Sequence, residues 1–222
     1  MHVEIKKELS EKGFVFIKEW KTEQSINELA SSLGTVVKIS SYSNHAMVAD
    51  VQSISPKQRD CSSKNQYSGQ FGLNAFPLHT DLAHWSQPPK YLMLRCVKGF
   101  EQVSTKVLPL KVVWKLMLQN GLRRAVVKSR GRHSCMLPIL FKVDGEDCIR
   151  WDSLFLEPTN ESSRAIKNLM LSSNVWDLAK DIKLIDYGDT LILNNYLNLH
   201  ARSIVPFECT ERQMERIYFN ES

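Results

Sequence analysis

The chain has 222 residues, room for one or two domains with a sizeable core, and its 43% hydrophobic and 24% charged composition is that of an ordinary folded protein, not a disordered one. Against 24 Asp and Glu stand 29 Lys and Arg, a formal charge of +5 that is too small for nucleic-acid binding to be the main task. No apolar run approaches the ~18 residues of a membrane span, and residues 1–7 mix charges with no apolar stretch, so neither a membrane partner nor a signal peptide is expected.

Along the chain, Gly13-Phe14-Val15-Phe16-Ile17 is rich in aromatic and β-branched residues and predicts a short buried strand. Ile26, Leu29, Ala30 and Leu33 fall at i, i+3, i+4 and i+7, with Gly34 at the place of a C-terminal cap, which predicts a helix from about 23 to 33. Residues 35–39 return to extended structure. From about 40 to 72 the chain is polar and rich in Ser, Asn and Gln, with one apolar interruption at 47–54. A segment of this length and character reads as an active-site cover, since it lacks the Pro and Gly density of a linker. Residues 91–97 predict a second strand. Leu110, Val113, Trp114 and Met117 trace a helical stripe that Gly121 closes. Asp144-Gly145 between two apolar runs signals a hairpin. Ile166, Leu169 and Met170, with Ser162 or Ser163 as N-cap, predict a third helix. Gly188-Asp189 is a turn feeding a strand through Leu193. With no internal repeat, residues 1–222 read as one mainly β domain with about three flanking helices, a distorted barrel or sandwich.

The five cysteines (Cys61, Cys96, Cys135, Cys148 and Cys209) are odd in number, scattered and without a C-x-x-C pair, which points to reduced thiols in a cytoplasmic protein and away from a zinc-cysteine site. A metal site would then be built from His and carboxylate. His79-Thr80-Asp81 is an H-x-D motif, and on a strand residues i and i+2 project from one face. His200, just after the 188–193 strand, is the best third ligand, and two histidines with one carboxylate on one side of a metal leave positions open for substrate and oxygen. Near the C-terminus, Arg212, Met214, Arg216 and Tyr218 alternate along one strand face. If that face points inward, each arginine needs an anion, because an unpaired buried charge costs several kcal/mol. A dicarboxylate gripped by guanidinium would supply it.

With these residues assembled, the sequence resembles the taurine dioxygenase-like family of Fe(II)/2-oxoglutarate oxygenases, which includes clavaminate synthase and asparagine oxygenase. Asn74-Ala75-Phe76-Pro77-Leu78-His79-Thr80-Asp81 resembles its metal loop, and Gly188-Asp189-Thr190-Leu191-Ile192-Leu193-Asn194-Asn195 with Leu199-His200-Ala201-Arg202 is similar to its distal-histidine segment. The resemblance implies a distorted double-stranded β-helix (jelly-roll) core, with Fe(II) held by His79, Asp81 and His200. It assigns Arg212 to the distal carboxylate of 2-oxoglutarate and Thr105 to the same co-substrate, with Ser104 as a rival one register away. Arg216 would contact either the co-substrate or an anionic group of the substrate. The implied reaction consumes O2 and 2-oxoglutarate, hydroxylates a small molecule and releases succinate and CO2; an amino acid or natural-product intermediate is the foremost substrate class. Because Asp81 is a carboxylate, no ligand position is vacated for halide, and halogenation is disfavoured. Asn194-Asn195 stands where many relatives have Asp-Asn, and the chain is shorter than typical relatives.

Other residues have two readings. Arg150 and Asp152 are similar to an Arg-x-Asp segment that faces substrate in the amino-acid-hydroxylating branch, or else form a structural ion pair. Asn74 and Phe76 are candidates for the pocket lining. His84 would face away from His79 on a continued strand. His2, His45 and His133 have no partner spacing and are placed on the surface. The basic run 123–132 lacks aromatic platforms, so a solvated strand is favoured over a nucleic-acid patch. Competing functional readings are an oxygenase of macromolecules and a catalytically silent binding module of the same fold.

Overall fold

A computed structural model describes residues 2–42, 49–130 and 134–221; His45, His133 and residues 131–132 of the basic run lie outside it, as does the His2 side chain. In chain order the elements are α1 (His2–Lys12), β1 (Phe14–Ile17), α2 (Ile26–Leu33), β2 (Thr35–Val36), β3 (Gln52–Ile54), α3 (Tyr67–Phe71), β4 (Tyr91–Lys98) and β5 (Thr105–Pro109). There follow α4 (Leu110–Gln119), β6 (Val126–Ser129), β7 (Met136–Pro138), β8 (Leu140–Val143), β9 (Glu146–Ile149) and β10 (Leu156–Pro158). The chain closes with α5 (Glu161–Met170), α6 (Ser173–Asp177), β11 (Lys180–Ile182), β12 (Thr190–Asn194), β13 (Asn198–Arg202) and β14 (Gln213–Asn220).

A six-stranded antiparallel sheet runs β1-β12-β4-β14-β2, with β3 also paired to β14. Facing it is the three-stranded sheet β11-β5-β13, to which His79 adds an isolated antiparallel bridge at His200. Strands β10-β6-β7 and the β8-β9 hairpin extend the second side. The alternation along β4 explains this layering. Tyr91 and Met93 join Ile192, Ile217 and Phe219 under Ile5 and Leu9 of α1 and Ile26, Leu29, Ala30 and Leu33 of α2. Leu92, Leu94 and Cys96 point the other way, to Leu191, Leu193, Met214, Tyr218 and Val107 of β5. A strand covered on both faces reads as a continuous apolar run, as 91–97 does. Leu108, Leu199 and Ala201 of the second sheet pack outward on Trp151, α4 and α5. Thr105, His200 and Arg202 are thereby left on the face between the sheets.

Several expectations need correction. There are six α-helices among the described residues rather than three: α1 was missed because its only buried contacts are Ile5 and Leu9 in an otherwise charged stretch, and α3 and α6 span five residues each. Helix α2 starts at Ile26, not 23, because Ser25 and Glu28 form a reciprocal capping box. The α5 cap is Asn160; Ser163 is its partner at the third helical position. Only Val15 of β1 is buried, since the strand lies at the sheet edge. The hairpin stands as read, with Asp144 (φ 51°) and Gly145 (φ 86°) both left-handed, as a type I′ turn requires. In the basic run Val127 and Ser129 are buried while Lys128 and Arg130 are exposed, and Arg130 pairs with Glu157 at 3.0 Å. That is a solvated strand face. No described helix is long and apolar enough to cross a membrane.

Candidate metal centre

His79 and His200 exchange both backbone hydrogen bonds at 2.9 Å, which brings their rings to 4.4 Å between centroids. Asp81 is not on a strand with His79, contrary to the i, i+2 expectation. The chain leaves the bridge into a turn over 81–84 with Leu82 at φ 54°, and the turn, not strand parity, sends the carboxylate back to the histidines. The Asp81 Oδ1 atom lies 3.5 Å from His79 Nε2 and 3.7 Å from His200 Nε2. One ligand atom from each of the three buried residues lies within 4.8 Å of the others, a spacing that one ion could span. His79 Nδ1 donates to the Pro77 carbonyl at 2.8 Å, because a carbonyl can only accept; the Nε2 lone pair is thereby directed to the centre.

The outer contacts fix Asp81 in both charge and orientation. Its Oδ2 accepts from Arg216 at 3.0 Å and from the Tyr218 hydroxyl at 2.8 Å, leaving Oδ1 for a metal. Burial opposes ionisation, but the Arg216 charge, the His200 charge and the hydrogen bonds hold the carboxyl well below its usual range. Burial lowers His79 while Asp81 more than offsets it, so its net shift is upward. For His200, burial and the neighbouring His79 charge outweigh Asp81, and the shift is downward. Arg216 also gives Nε and Nη2 to Gln52 of β3, at 3.0 and 2.6 Å, so it ties the Asp81 carboxylate to β3.

Asn195 clamps the loop from the turn between β12 and β13. Its Oδ1 accepts from the Asp81 N–H at 2.9 Å, and its Nδ2 donates to the carbonyls of Asp81 (2.9 Å) and Pro89 (3.1 Å). Asn195→Asp removes both donors and places a charge against two carbonyls at a buried site. The expected result is a loss of about 3 kcal/mol in urea unfolding, together with a 10–100-fold drop in Mn(II) affinity measured by calorimetry.

Arg212 precedes β14 and is 5% exposed. Its Nε is buried without a hydrogen-bond partner, and among the described residues no carboxylate lies within ion-pair distance of it. Burial pushes its pKa down to about 10. Thr105 is buried on the inner face opposite Arg202, and Ser104, also buried, donates to Asp181 at 2.5 Å.

Over the centre sits part of the 40–72 segment. The Tyr67 ring stacks on His79 (4.4 Å, 27°) and touches Phe76 (5.2 Å) and Phe155 (6.1 Å). Its hydroxyl is buried beside Asp152 but misses hydrogen-bond geometry. Asp152 takes the N–H groups of Leu154 and Phe155 on Oδ1, at 2.7 and 2.8 Å, and burial raises its pKa despite the nearby His79 charge. Arg150 forms no ion pair with it. The guanidinium instead caps the carbonyls of Ala83 (3.3 Å), Trp85 and Ser86 (2.9 Å) and stacks on Phe141 at 4.3 Å, bracing the turn that carries Asp81. Asn74 is exposed and contributes its backbone carbonyl, to Arg202. His84 lies in the turn, not on a strand, 5.4 Å from Phe155, with a buried Nδ1 that has no partner.

Tyr67, Gln52, Asn195, Tyr218 and Arg202 were given no role from the sequence. Tyr218 and Asn195 carried a signal, since one shares the Arg216 face and the other sits in the distal-histidine motif. Gln52 and Tyr67 carried none.

No protein-family model and no curated protein matches the sequence. Solved structures do. Asparagine oxygenase superposes with TM-score 0.70 at 14% identity, covering 99% of this chain and 78% of that one. PvcB from Pseudomonas aeruginosa gives 0.70 at 14%, covering 99% and 80%. The non-heme iron oxygenase OrfP, in complex with Fe and alpha-ketoglutaric acid, gives 0.63 at 18%, covering 87% and 62%. At these identities the likeness establishes the fold: a mainly antiparallel β structure of the double-stranded β-helix kind, with no closed barrel among the described residues.

Proposed function

We propose that the protein is a 2-oxoglutarate-dependent non-haem Fe(II) oxygenase that hydroxylates a small molecule. The observations that carry this reading are the buried His79–Asp81–His200 cluster and a buried Arg212 with no carboxylate within ion-pair distance among the described residues. Two imidazoles and one carboxylate suit Fe(II) with open positions, and a guanidinium with no carboxylate partner suits a dianionic co-substrate. Bound there, Fe(II) would supply the oxidising chemistry that consumes O2 and 2-oxoglutarate and yields succinate and CO2. The chain's own residues position the reactants. His79, His200 and Asp81 would hold the metal, and Arg216 and Tyr218, bound to Asp81 Oδ2, fix the carboxylate with Oδ1 free for it. Arg212 pairs with the distal carboxylate, and the Thr105 hydroxyl donates to it. Tyr67, Phe76 and Phe155 exclude water, and the Asp152 carboxylate, whose Oδ1 takes two backbone N–H groups, would pair with the ammonium of an amino-acid substrate.

Asparagine oxygenase and OrfP, solved with hydroxylated asparagine and arginine, make free amino acids the first class to try. Scattered cysteines without a C-x-x-C pair suit the cytoplasm, and residues 1–222 are taken as one domain with 40–72 as its cover. Under anaerobic conditions, Mn(II) with 2-oxoglutarate at ~100 times its dissociation constant should stabilise the protein by about 2.7 kcal/mol. With Fe(II) and air, succinate release across an amino-acid and metabolite panel should identify the substrate. No stabilisation and no succinate from any compound would overturn the reading.

A further inference from the structure

The 40–72 segment meets the centre through Tyr67 on His79 and also through Gln52 of β3. Gln52 stands opposite Arg216 in the antiparallel pairing of β3 with β14, two residues from the Ile54–Met214 pair. Ile54 and Met214 pack into the core between the sheets, so Gln52 and Arg216 share that inner face. The Gln52 Oε1 atom accepts from Arg216 Nε at 3.0 Å and from Nη2 at 2.6 Å, while Nη1 donates to Asp81 Oδ2 at 3.0 Å. Among the described residues Asp81 is the one carboxylate within ion-pair distance of Arg216.

A guanidinium beside a carboxylate favours a two-pronged pair, in which two parallel N–H groups take both oxygens. Such a pair would occupy Asp81 Oδ1 as well as Oδ2. Oδ1 is the oxygen that lies 3.5 Å from His79 Nε2 and 3.7 Å from His200 Nε2. Gln52 opposes that arrangement. With Nε and Nη2 both on one amide oxygen, Arg216 meets Asp81 through Nη1 alone, and the Tyr218 hydroxyl takes the same Oδ2 at 2.8 Å. What this asks of residue 52 is an acceptor oxygen at that reach.

We propose that Gln52 is a positioning residue for the metal centre: by filling the Nε and Nη2 edge of Arg216 it confines that arginine to Asp81 Oδ2 and keeps Oδ1 for the ion. This rests on the metal centre of the oxygenase reading above. It gives the 40–72 segment a part in holding metal, beyond covering it.

Calorimetric titration of the apoprotein with Mn(II), alongside urea unfolding, tests the proposal without turnover. Gln52→Leu removes the acceptor and keeps the bulk, and should bind Mn(II) about 10–100-fold more weakly than the wild type, as changes in the outer contacts of metal ligands do. Gln52→Glu restores an acceptor oxygen at the same reach and should bind within about threefold of the wild type. The visible absorption of bound Co(II) should divide in the same way, altered in the first variant and unchanged in the second. If Gln52→Leu fails to fold, Gln52→Asn, one methylene short of Arg216, is held to the same criterion. The proposal is overturned if the folded variant without the acceptor keeps wild-type Mn(II) affinity and loses only stability to urea, the mark of a residue that merely anchors β3. It is equally overturned if Gln52→Glu falls as far as Gln52→Leu. A wild type that binds neither Mn(II) nor Co(II) would instead remove the metal centre, and the oxygenase reading with it.

Discussion

Asp81→Ala is expected to abolish succinate formation and to weaken Mn(II) binding by at least ~100-fold, because outer-contact changes alone cost 10–100-fold in such sites. The apoprotein should also lose roughly 1–3 kcal/mol, since the Tyr218 hydroxyl is left buried without its acceptor. Arg216 is cushioned by Gln52 and contributes less to that loss. Asp81→Asn separates the two effects: its amide oxygen can still accept from Tyr218, so most of the stability returns while metal binding does not. The pH dependence has a definite sign. Asp81 is depressed in the folded state, so its contribution is complete above the unfolded carboxylate pKa of about 3.9 and is lost as pH falls through the lower folded value. The difference between wild type and Asp81→Asn should therefore persist at mildly acid pH in urea titrations. His79 runs the opposite way. Its raised value means that its pairing with Asp81 stabilises the apoprotein fully below about pH 6.5 and fades as pH rises through the folded pKa. Turnover by Asp81→Ala, or wild-type Mn(II) affinity, would remove Asp81 from the centre.

How much of this was legible depended on whether the signal was local. The apolar run of β4, the stripe of α4 and the Asp144-Gly145 turn are short-range patterns, and each became the element it predicted. H-x-D was legible as a pair of ligands but not as a geometry. The turn at 81–84 is held by Asn195, 114 residues away, and by Arg150 on three carbonyls, and no spacing near His79 encodes either. The segment 40–72 was legible only as polar and long. Inside it, β3 forms because β14 offers an edge to pair with, and α3 is set by Tyr67 and Phe71 packing on Phe76 and by Tyr67 on His79 and Phe155. Elements that depend on a partner rather than on their own periodicity leave no pattern to read. Arg202 illustrates the same limit from the other direction. It stood in full view beside His200, but its meaning lies in carbonyls 128 and 130 residues earlier.

Arg212→Met should show a reversal of sign that no purely structural arginine would give. Without co-substrate the buried guanidinium is a burden: moving its pKa from 12.5 to about 10 corresponds to roughly 3 kcal/mol of desolvation left uncompensated. Replacing it with an apolar chain of similar length removes the charge and fills the space, so the apoprotein should gain about 1–3 kcal/mol in urea unfolding. With Mn(II) and 2-oxoglutarate the order inverts. Truncating one partner of a buried charge pair costs about 2–5 kcal/mol, so 2-oxoglutarate should bind roughly 30-fold to several-thousand-fold more weakly and confer little stabilisation on the variant at concentrations that saturate the wild type. Mn(II) affinity should be unchanged, which separates loss of the co-substrate site from loss of the metal centre. Arg212→Lys retains a charge without the two-pronged donor, and should fall between the two in 2-oxoglutarate affinity. A variant that is less stable than wild type in the apo form, yet gains as much from 2-oxoglutarate, would show that Arg212 is part of the scaffold and that the dianion binds elsewhere.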